Sequence, residues 1–369
     1  MKILTRYLLR ELGLPLVVWV CFLFLILLVM QLLKGTDVLL GSAVTFVDFV
    51  RLISFLAPHF LVMAVPVAFL LAILLGLGRM SEDRELLVLN AAGIGPLELL
   101  RVPFYLAAFL GLVMLLLTSF ADPWGQVMVK NIVAEVVKKN VIGDVKAGVF
   151  YEDLTNLTLY AQKVNKEKGR WTNVLVHDDR DPRAPLLVLA REGTVDAKGV
   201  GTSLTVALSR GEVHRAEQVG EDYTVLTFET GELAVGVGEN INRKDRFRSV
   251  KDELTPGQLI QAAKEARASG RDPRAFWVAF HMRLGQVFAP LAFVLLGGPL
   301  AMGRRQARGR SYFIAILGYV AYYVLMRTFE DWGLKGTISP LLSGQGTNLV
   351  FALLGLVGLQ QILRGGLRR

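Results

Sequence analysis

From Leu12 to Leu33 the chain runs through 22 residues without a charged side chain. As a helix this run is about 33 Å long at 1.5 Å per residue, enough to cross the roughly 30 Å hydrocarbon core of a bilayer. In lipid the backbone has no water to bond, so such a run has one solution open to it, a helix that satisfies its own amides. Lys2, Arg6 and Arg10 precede it. It is too long for the apolar region of a signal peptide and no small-residue cleavage site follows, so it is expected to be retained as a span.

Five further runs repeat the pattern. Leu52 to Gly78 has no acidic or basic side chain apart from His59, and its Pro58 and Pro66 predict a kink. Val102 to Ala121 follows, then, after a long polar stretch, Leu284 to Gly303, about Ser311 to Phe329 and about Gln345 to Leu363. Hydrophobic residues make up 53% and charged residues 20% of the 369, too apolar a balance for a soluble chain. The formal net charge of +9 does not require a nucleic acid partner. Its arginines flank apolar runs, as retention of positive charge on the cytoplasmic side predicts. Six spans put both termini on one side, with Lys2, Arg6, Arg10, Arg79, Arg84, Arg304, Arg305, Arg308, Arg310, Arg364, Arg368 and Arg369. That side is therefore expected to be cytoplasmic. The one cysteine, Cys21, lies in the first run, so no disulfide forms within the chain.

The polar stretch between the third and fourth spans is then extracytoplasmic. It opens with helical spacing over Trp124 to Val141, which continues the third span. The period then changes to two. Short strands are expected at Leu157–Ala161, Val174–His177, Leu186–Leu189, Leu204–Leu208 and Tyr223–Phe228. Turn signals separate them at Glu167–Gly169, Asp178–Pro182, Lys198–Gly199 and Val219–Gly220. This is the pattern of an all-β sandwich or roll. Thr255-Pro256-Gly257-Gln258 reads as a capping box that opens a helix to about Ser269. The fold class is thus an α-helical membrane protein of six spans with an all-β, jellyroll-like periplasmic domain between spans three and four. Its divisions fall at 1–121, 122–276 and 277–369.

Between spans two and three lies Arg79 to Pro96, RMSEDRELLVLNAAGIGP. Ser81 is a good N-cap, and Glu82, Asp83 and Glu85 would complement the positive end of a helix. Leu86, Leu89 and Ala92 follow at helical spacing, and Gly93 can close the helix in a left-handed turn. A short charged helix pinned between two spans reads either as a solvated loop or as a docking element.

Catalysis finds little support. The phosphate-binding GxxxxGK[ST] loop, GxSxG and HExxH are all missing from the sequence. His59, His177, His214 and His281 are scattered, and each reads as packing or surface. Carboxylates inside the spans are essentially nil, which argues against a proton-coupled carrier with a buried acidic relay.

Four features together resemble the permease family of the lipopolysaccharide export ABC transporter, the Lpt F/G type. They are the opening Arg6-Tyr7-Leu8-Leu9-Arg10-Glu11; Ser81 to Gly95, SEDRELLVLNAAGIG; His281 to Met302, with its Pro290 and Gly297-Gly298-Pro299 breaks; and three spans on each side of an extracytoplasmic β block. The lead-in, the acidic segment and the Arg304–Arg310 loop resemble the F type more than the G type.

The resemblance implies a non-catalytic permease subunit of the bacterial inner membrane, paired with a homologous permease. A cytoplasmic ATPase dimer would hydrolyse the ATP, and this chain would bind no cofactor itself. A single-span periplasmic jellyroll protein would receive lipopolysaccharide on its way to the outer membrane. The segment between spans two and three would be the coupling helix. Glu85 would be the leading ATPase contact, with Glu82 and Arg84 beside it and Leu86 and Leu89 as apolar contacts. Lys34 and Arg327 would meet the lipid head group, and Phe22, Phe24, Leu28, Phe60 and Tyr323 would line the acyl cavity. Two rivals stand beside this reading: the G-type partner, and a membrane scaffold that only displays a β domain. A membrane-embedded lipid enzyme would need a nucleophile or metal cluster that the sequence does not display. Other ABC permeases of the lipoprotein or mechanotransmission type generally have four spans, with the outer domain after the first.

Overall fold

The computed structural model describes residues 2–34, 45–144, 147–154, 157–165, 170–179, 185–196, 204–216, 223–235, 250–302 and 308–365. The expected turns at 167–169, 198–199 and 219–220, most of that at 178–182, and residues 304–307, 368 and 369 lie outside these. The helices are α1 (Lys2–Lys34), α2 (Phe46–Glu82), α3 (Glu85–Ala91), α4 (Pro96–Leu116), α5 (Asp122–Asp144), α6 (Val250–Glu253), α7 (Pro256–Ala268), α8 (Arg274–Met302), α9 (Arg308–Lys335) and α10 (Pro340–Gly365). A π-helical turn, Leu117–Ala121, joins α4 to α5, so the third span does run on as expected. Six helical stretches are long and apolar enough to cross a membrane. The chain divides into two compact units, one of 1–31, 54–126 and 250–369, the other of 32–53 and 127–249.

The helical unit is built around α2. Of its most apolar window 78% is buried, against 11% for α1 and for α9. The helix continues through both Pro58 and Pro66. Leu8, Leu12 and Leu16, spaced four apart on one stripe of α1, join the core that holds Phe69, Ile73, Leu77 and Met80 of α2. A second knot ties α8, α9 and α10. The rings of Phe293 and Tyr322 lie 4.8 Å apart and those of Tyr322 and Phe351 5.2 Å apart. Behind them Tyr322 Oη donates to Asn348 Oδ1 at 2.9 Å, and Asn348 Nδ2 donates to the Gly285 carbonyl at 2.8 Å. The Thr255–Gln258 capping box forms and opens α7, which buries Leu259, Ala263 and Ala266. Arg283 of α8 donates to the carbonyls of Lys251 in α6 and of Leu254 just past it, two acceptors at an end that leaves carbonyls without helical partners.

The other unit holds one six-stranded antiparallel sheet in the order β1 to β6, each strand pairing with its neighbours in the chain. The strands are β1 (Phe150–Leu154), β2 (Leu157–Asn165), β3 (Arg170–Asp178), β4 (Leu186–Asp196), β5 (Leu204–Ala216) and β6 (Tyr223–Val235). One transverse crease crosses it. Each of the four ladders from β2 to β6 skips one position, and the skipped positions align as Gln162, Asn173, Arg191, Arg210 and Glu229. Asn173 and Arg210 take left-handed backbone there, with φ of 50° and 54°. The Asn173 amide donates to Gln162 Oε1 at 2.6 Å, and Arg210 pairs with Glu192 at 2.5 Å.

At the crease the alternation of buried residues changes phase. Leu157, Leu159 and Ala161 give way to Val164; Trp171 gives way to Val174 and Val176. Both halves of each strand therefore turn their apolar residues to the same core. Gly211 follows the crease in β5: a Cβ there would lie 2.3 Å from the Leu189 carbonyl oxygen of β4 and 2.6 Å from the Phe228 ring. The ring covers the space a side chain would need.

Candidate functional site: the segment between α2 and α4

The stretch expected as one capped helix is two pieces. The apolar stripe of α2 continues through fully buried Met80, so the helix runs on to Glu82, and Ser81 lies in its last turn instead of capping a new one. Glu82 thus ends α2, and Asp83 lies in the turn that follows. Arg84 breaks the helix with φ of 59°, and α3 starts at Glu85 with no side-chain cap. The far end follows expectation. Gly93 has φ of 88°, its N–H bonds the Asn90 carbonyl, and the Ile94 N–H bonds the Leu89 carbonyl, both at 3.0 Å. The crossing bonds of such a left-handed close satisfy the last carbonyls of the helix. Gly95 and Pro96 then open α4.

Seven residues are too few for a helix to hold itself, so packing decides which face of α3 shows. Leu86 is 2% exposed and sits in the core, and Leu89 packs half-buried against it. Leu87, at 45%, and Val88, at 66%, point outward, and Ala91 is exposed beside them. Of the residues expected as contacts, Leu86 is thus unavailable to a partner because it anchors the helix, while Leu87 and Val88 form the offered face. Leu86 and Leu89 lie three apart and face inward, which leaves Leu87, Val88 and Ala91 on the opposite side. That spacing was the signal available in the sequence.

Glu85 is half-buried and accepts a 2.6 Å hydrogen bond from the Tyr7 hydroxyl of α1. A second tie runs parallel: Arg79 Nη2 donates to Glu11 Oε2 at 2.5 Å. Partners 78 and 68 residues apart leave no local trace in a sequence. Glu82 is half-buried and Arg84 exposed on the outer side of the junction.

The lipid-contact candidates scatter. Arg327 is already engaged: its Nη1 donates to Glu330 Oε2 at 2.8 Å, its Nε donates to the Tyr323 hydroxyl at 3.2 Å, and its guanidinium lies 5.3 Å from the Tyr323 ring centre. Lys34 ends α1, and its side chain lies outside the described residues. Phe22 and Tyr323 are exposed, Phe24 and Leu28 half-exposed. Phe60 is buried with its ring 6.1 Å from that of Phe24, so it backs the surface without forming it. His59, expected as packing, lies 3.2 Å from Asp122 Oδ1, which also accepts from Gln126 Nε2 at 3.1 Å. An open groove of about 610 Å³ follows the crease of the sheet past Tyr160, Leu175, Leu189, Arg191 and Arg210. Among the described residues no group of three or more His, Cys, Asp or Glu side chains could hold a metal ion.

Residues 6–361 match the family of the lipopolysaccharide export system permease LptF/LptG. The chain belongs to the LptF/LptG family. The match runs from the lead-in of α1 to the last turns of α10 and so takes in α3 and the creased sheet. Relatives include the lipopolysaccharide export system permease proteins LptF of Escherichia coli strain K12 and of Shigella flexneri. Each is 23% identical over 366 residues, covering 96% of this chain and 94% of the relative. An uncharacterised Rickettsia prowazekii protein, RP871, is 24% identical over 194 residues, 52% of each chain. An LptF/LptG chain is a permease subunit and not itself a catalyst, and its six membrane-capable helices make this one a multi-pass membrane protein.

Proposed function

We propose that this chain is the F-type permease subunit of a lipopolysaccharide export ABC transporter, with α3 as the helix that docks on the ATPase. What carries the docking role is α3 itself. It is a short helix between two spans, anchored from beneath by Leu86, with Glu85 held and with Leu87 and Val88 turned outward. A solvated loop helix has no use for two exposed branched apolar residues beside a fixed carboxylate. The F assignment is supported by the full-length relatives named above, which carry the F name.

In this reading both termini and α3 are cytoplasmic and the creased sheet is periplasmic. The partners are a G-type permease, an ATPase dimer that hydrolyses the ATP, lipopolysaccharide, and a single-span periplasmic jellyroll bridge. Exposed Phe22 and Tyr323, with Phe24 and Leu28, offer apolar surface for acyl chains. Lys34 is the favoured contact for a head-group phosphate. Arg327 would have to exchange Glu330 for it.

Affinity purification of the detergent-solubilised chain, wild type against Glu85→Arg, tests the reading. Expected is recovery of a second six-span permease and a nucleotide-binding subunit with the wild type, and loss of the latter in the variant. A wild type that purifies alone, or a variant that keeps the ATPase, overturns the docking role.

A further inference from the structure

The contacts of α3 reach beyond the two spans that flank it. It has no side-chain N-cap and follows a left-handed Arg84, so α2 does not fix its direction through a continuous helix. Its orientation is set by the tertiary ties described above; one of these leads from α3 to α1, and a second fastens α1 to the last turns of α2 just before it. Tyr7 Oη holds Glu85 Oε2 at 2.6 Å, and Glu11 Oε2 holds Arg79 Nη2 at 2.5 Å. Both of these α1 residues lie on its first three turns, where Leu8 and Leu12 are fully buried in the core that also holds Leu77, Met80 and Leu86. A Cβ on Gly76 would lie 3.0 Å from the Glu11 carbonyl oxygen, so α1 and α2 approach backbone to backbone there. Beyond Leu16 no described residue of α1 is buried. Further along α1 the contacts are made by partly buried residues, Trp19, Val20 and Leu23 against the core and the Phe24 ring against Phe60, so the firmest hold, where displacement enters α1, is at its first turns.

We propose that Tyr7 is a positioning residue of the coupling machinery: its hydroxyl fixes Glu85 and so makes the first turns of α1 move with α3, while the Glu11–Arg79 pair ties the same turns to the end of α2. ATPase movement would then be delivered directly to α1, whose outer length carries the exposed apolar residues Leu14, Val17, Val18, Phe22, Leu25 and Met30. The inference rests on the docking role of α3 proposed above and adds a second output to it.

Cys21, the single cysteine, is exposed on α1 and reports its motion without any engineered site. The chain would be spin-labelled at Cys21, assembled with cysteine-free partner subunits in nanodiscs, and its spectrum recorded before and after trapping with ATP and vanadate. Lipopolysaccharide released per ATP hydrolysed would be measured in parallel. Tyr7→Phe removes one oxygen and keeps the ring, so the packing of the first turns is retained. The expected result is a nucleotide-dependent spectral change in the wild type that shrinks by about three- to tenfold in Tyr7→Phe, the range for one hydrogen bond. A matching fall in lipid released per ATP should accompany it. Glu11→Gln should act in the same direction, and the double variant should exceed either. Full spectral response and full lipid yield in Tyr7→Phe, with the ATPase bound, overturn the proposal and leave the docking role of α3 standing. A wild type that fails to retain the ATPase overturns both.

Discussion

Leu86 and Val88 stand two residues apart on α3 and should respond to truncation in opposite assays. Leu86 is 2% exposed and joins α3 to the core of the helical unit. Leu86→Ala removes a fully buried side chain and leaves a cavity, at a cost of about 2–5 kcal/mol. A loss of about 3 kcal/mol in a chain this size should lower Tm by about 4 °C. Val88 is 66% exposed, so Val88→Ala should cost under about 0.5 kcal/mol in folding. Docked against a partner, the two-thirds of the side chain still open would become buried, worth about 1 kcal/mol or roughly a fivefold change in Kd. Val88→Asp, which would also desolvate a carboxylate, should weaken binding about 30-fold or more. Differential scanning fluorimetry of the purified chain gives the first quantity, and titration of the ATPase onto it in detergent gives the second. If Val88→Ala lowered Tm as much as Leu86→Ala, or if Leu86→Ala were silent, the assignment of inner and outer faces would be wrong.

Two further outcomes follow from the packing. Asn348→Ala leaves the buried Tyr322 hydroxyl without its acceptor and should cost about 1–3 kcal/mol. In that background Tyr322→Phe should cost less than in the wild type, by about 0.6–1.7 kcal/mol in a double-mutant cycle on reversible unfolding in mixed micelles; additivity within about 0.3 kcal/mol counts against the bridge. Asn173→Val forces a β-branched residue to φ of 50° and should lower the melting temperature of the sheet, followed by circular dichroism, through about 1–2 kcal/mol of backbone strain. Asn173→Gly should be far milder, and the reverse order would refute the crease.

The six spans were legible because each is an apolar run long enough to admit one conformation in lipid. The strands were legible only in half. The expected segments Leu157–Ala161, Leu204–Leu208 and Tyr223–Phe228 all stop within two residues of the crease, although the strands run on to Asn165, Ala216 and Val235. A reading that follows strict alternation ends where the alternation changes phase, and Gln162, Arg210 and Glu229 mark that change without any proline or glycine of their own. The coupling segment shows a different limit. Acidic residues followed by helical spacing describe the end of one helix and the start of the next equally well, and the choice fell to Met80, whose burial carries α2 on to Glu82. The Tyr7–Glu85 and His59–Asp122 contacts join residues 78 and 63 positions apart and exist only once the helices are packed.

The helices of the membrane unit differ in what can hold them. Burying 78% of the apolar window of α2 fixes it through packing that any displacement must undo. For α1 and α9, at 11%, apolar surface gains nothing by leaving lipid for protein, because both surroundings are equally apolar. Their positions therefore depend on a few specific contacts. For α1 these are the Leu8–Leu12–Leu16 stripe, the partly buried Trp19, Val20 and Leu23, and the two polar ties at its first turns. For α9 they are the Tyr322 knot and the buried Ala315. A helix held at a few points is displaced by changing those points, and on α1 they adjoin the segment proposed to meet the ATPase. A permease that must admit and expel a large lipid needs spans of this kind, light to move yet fixed to the element that moves them.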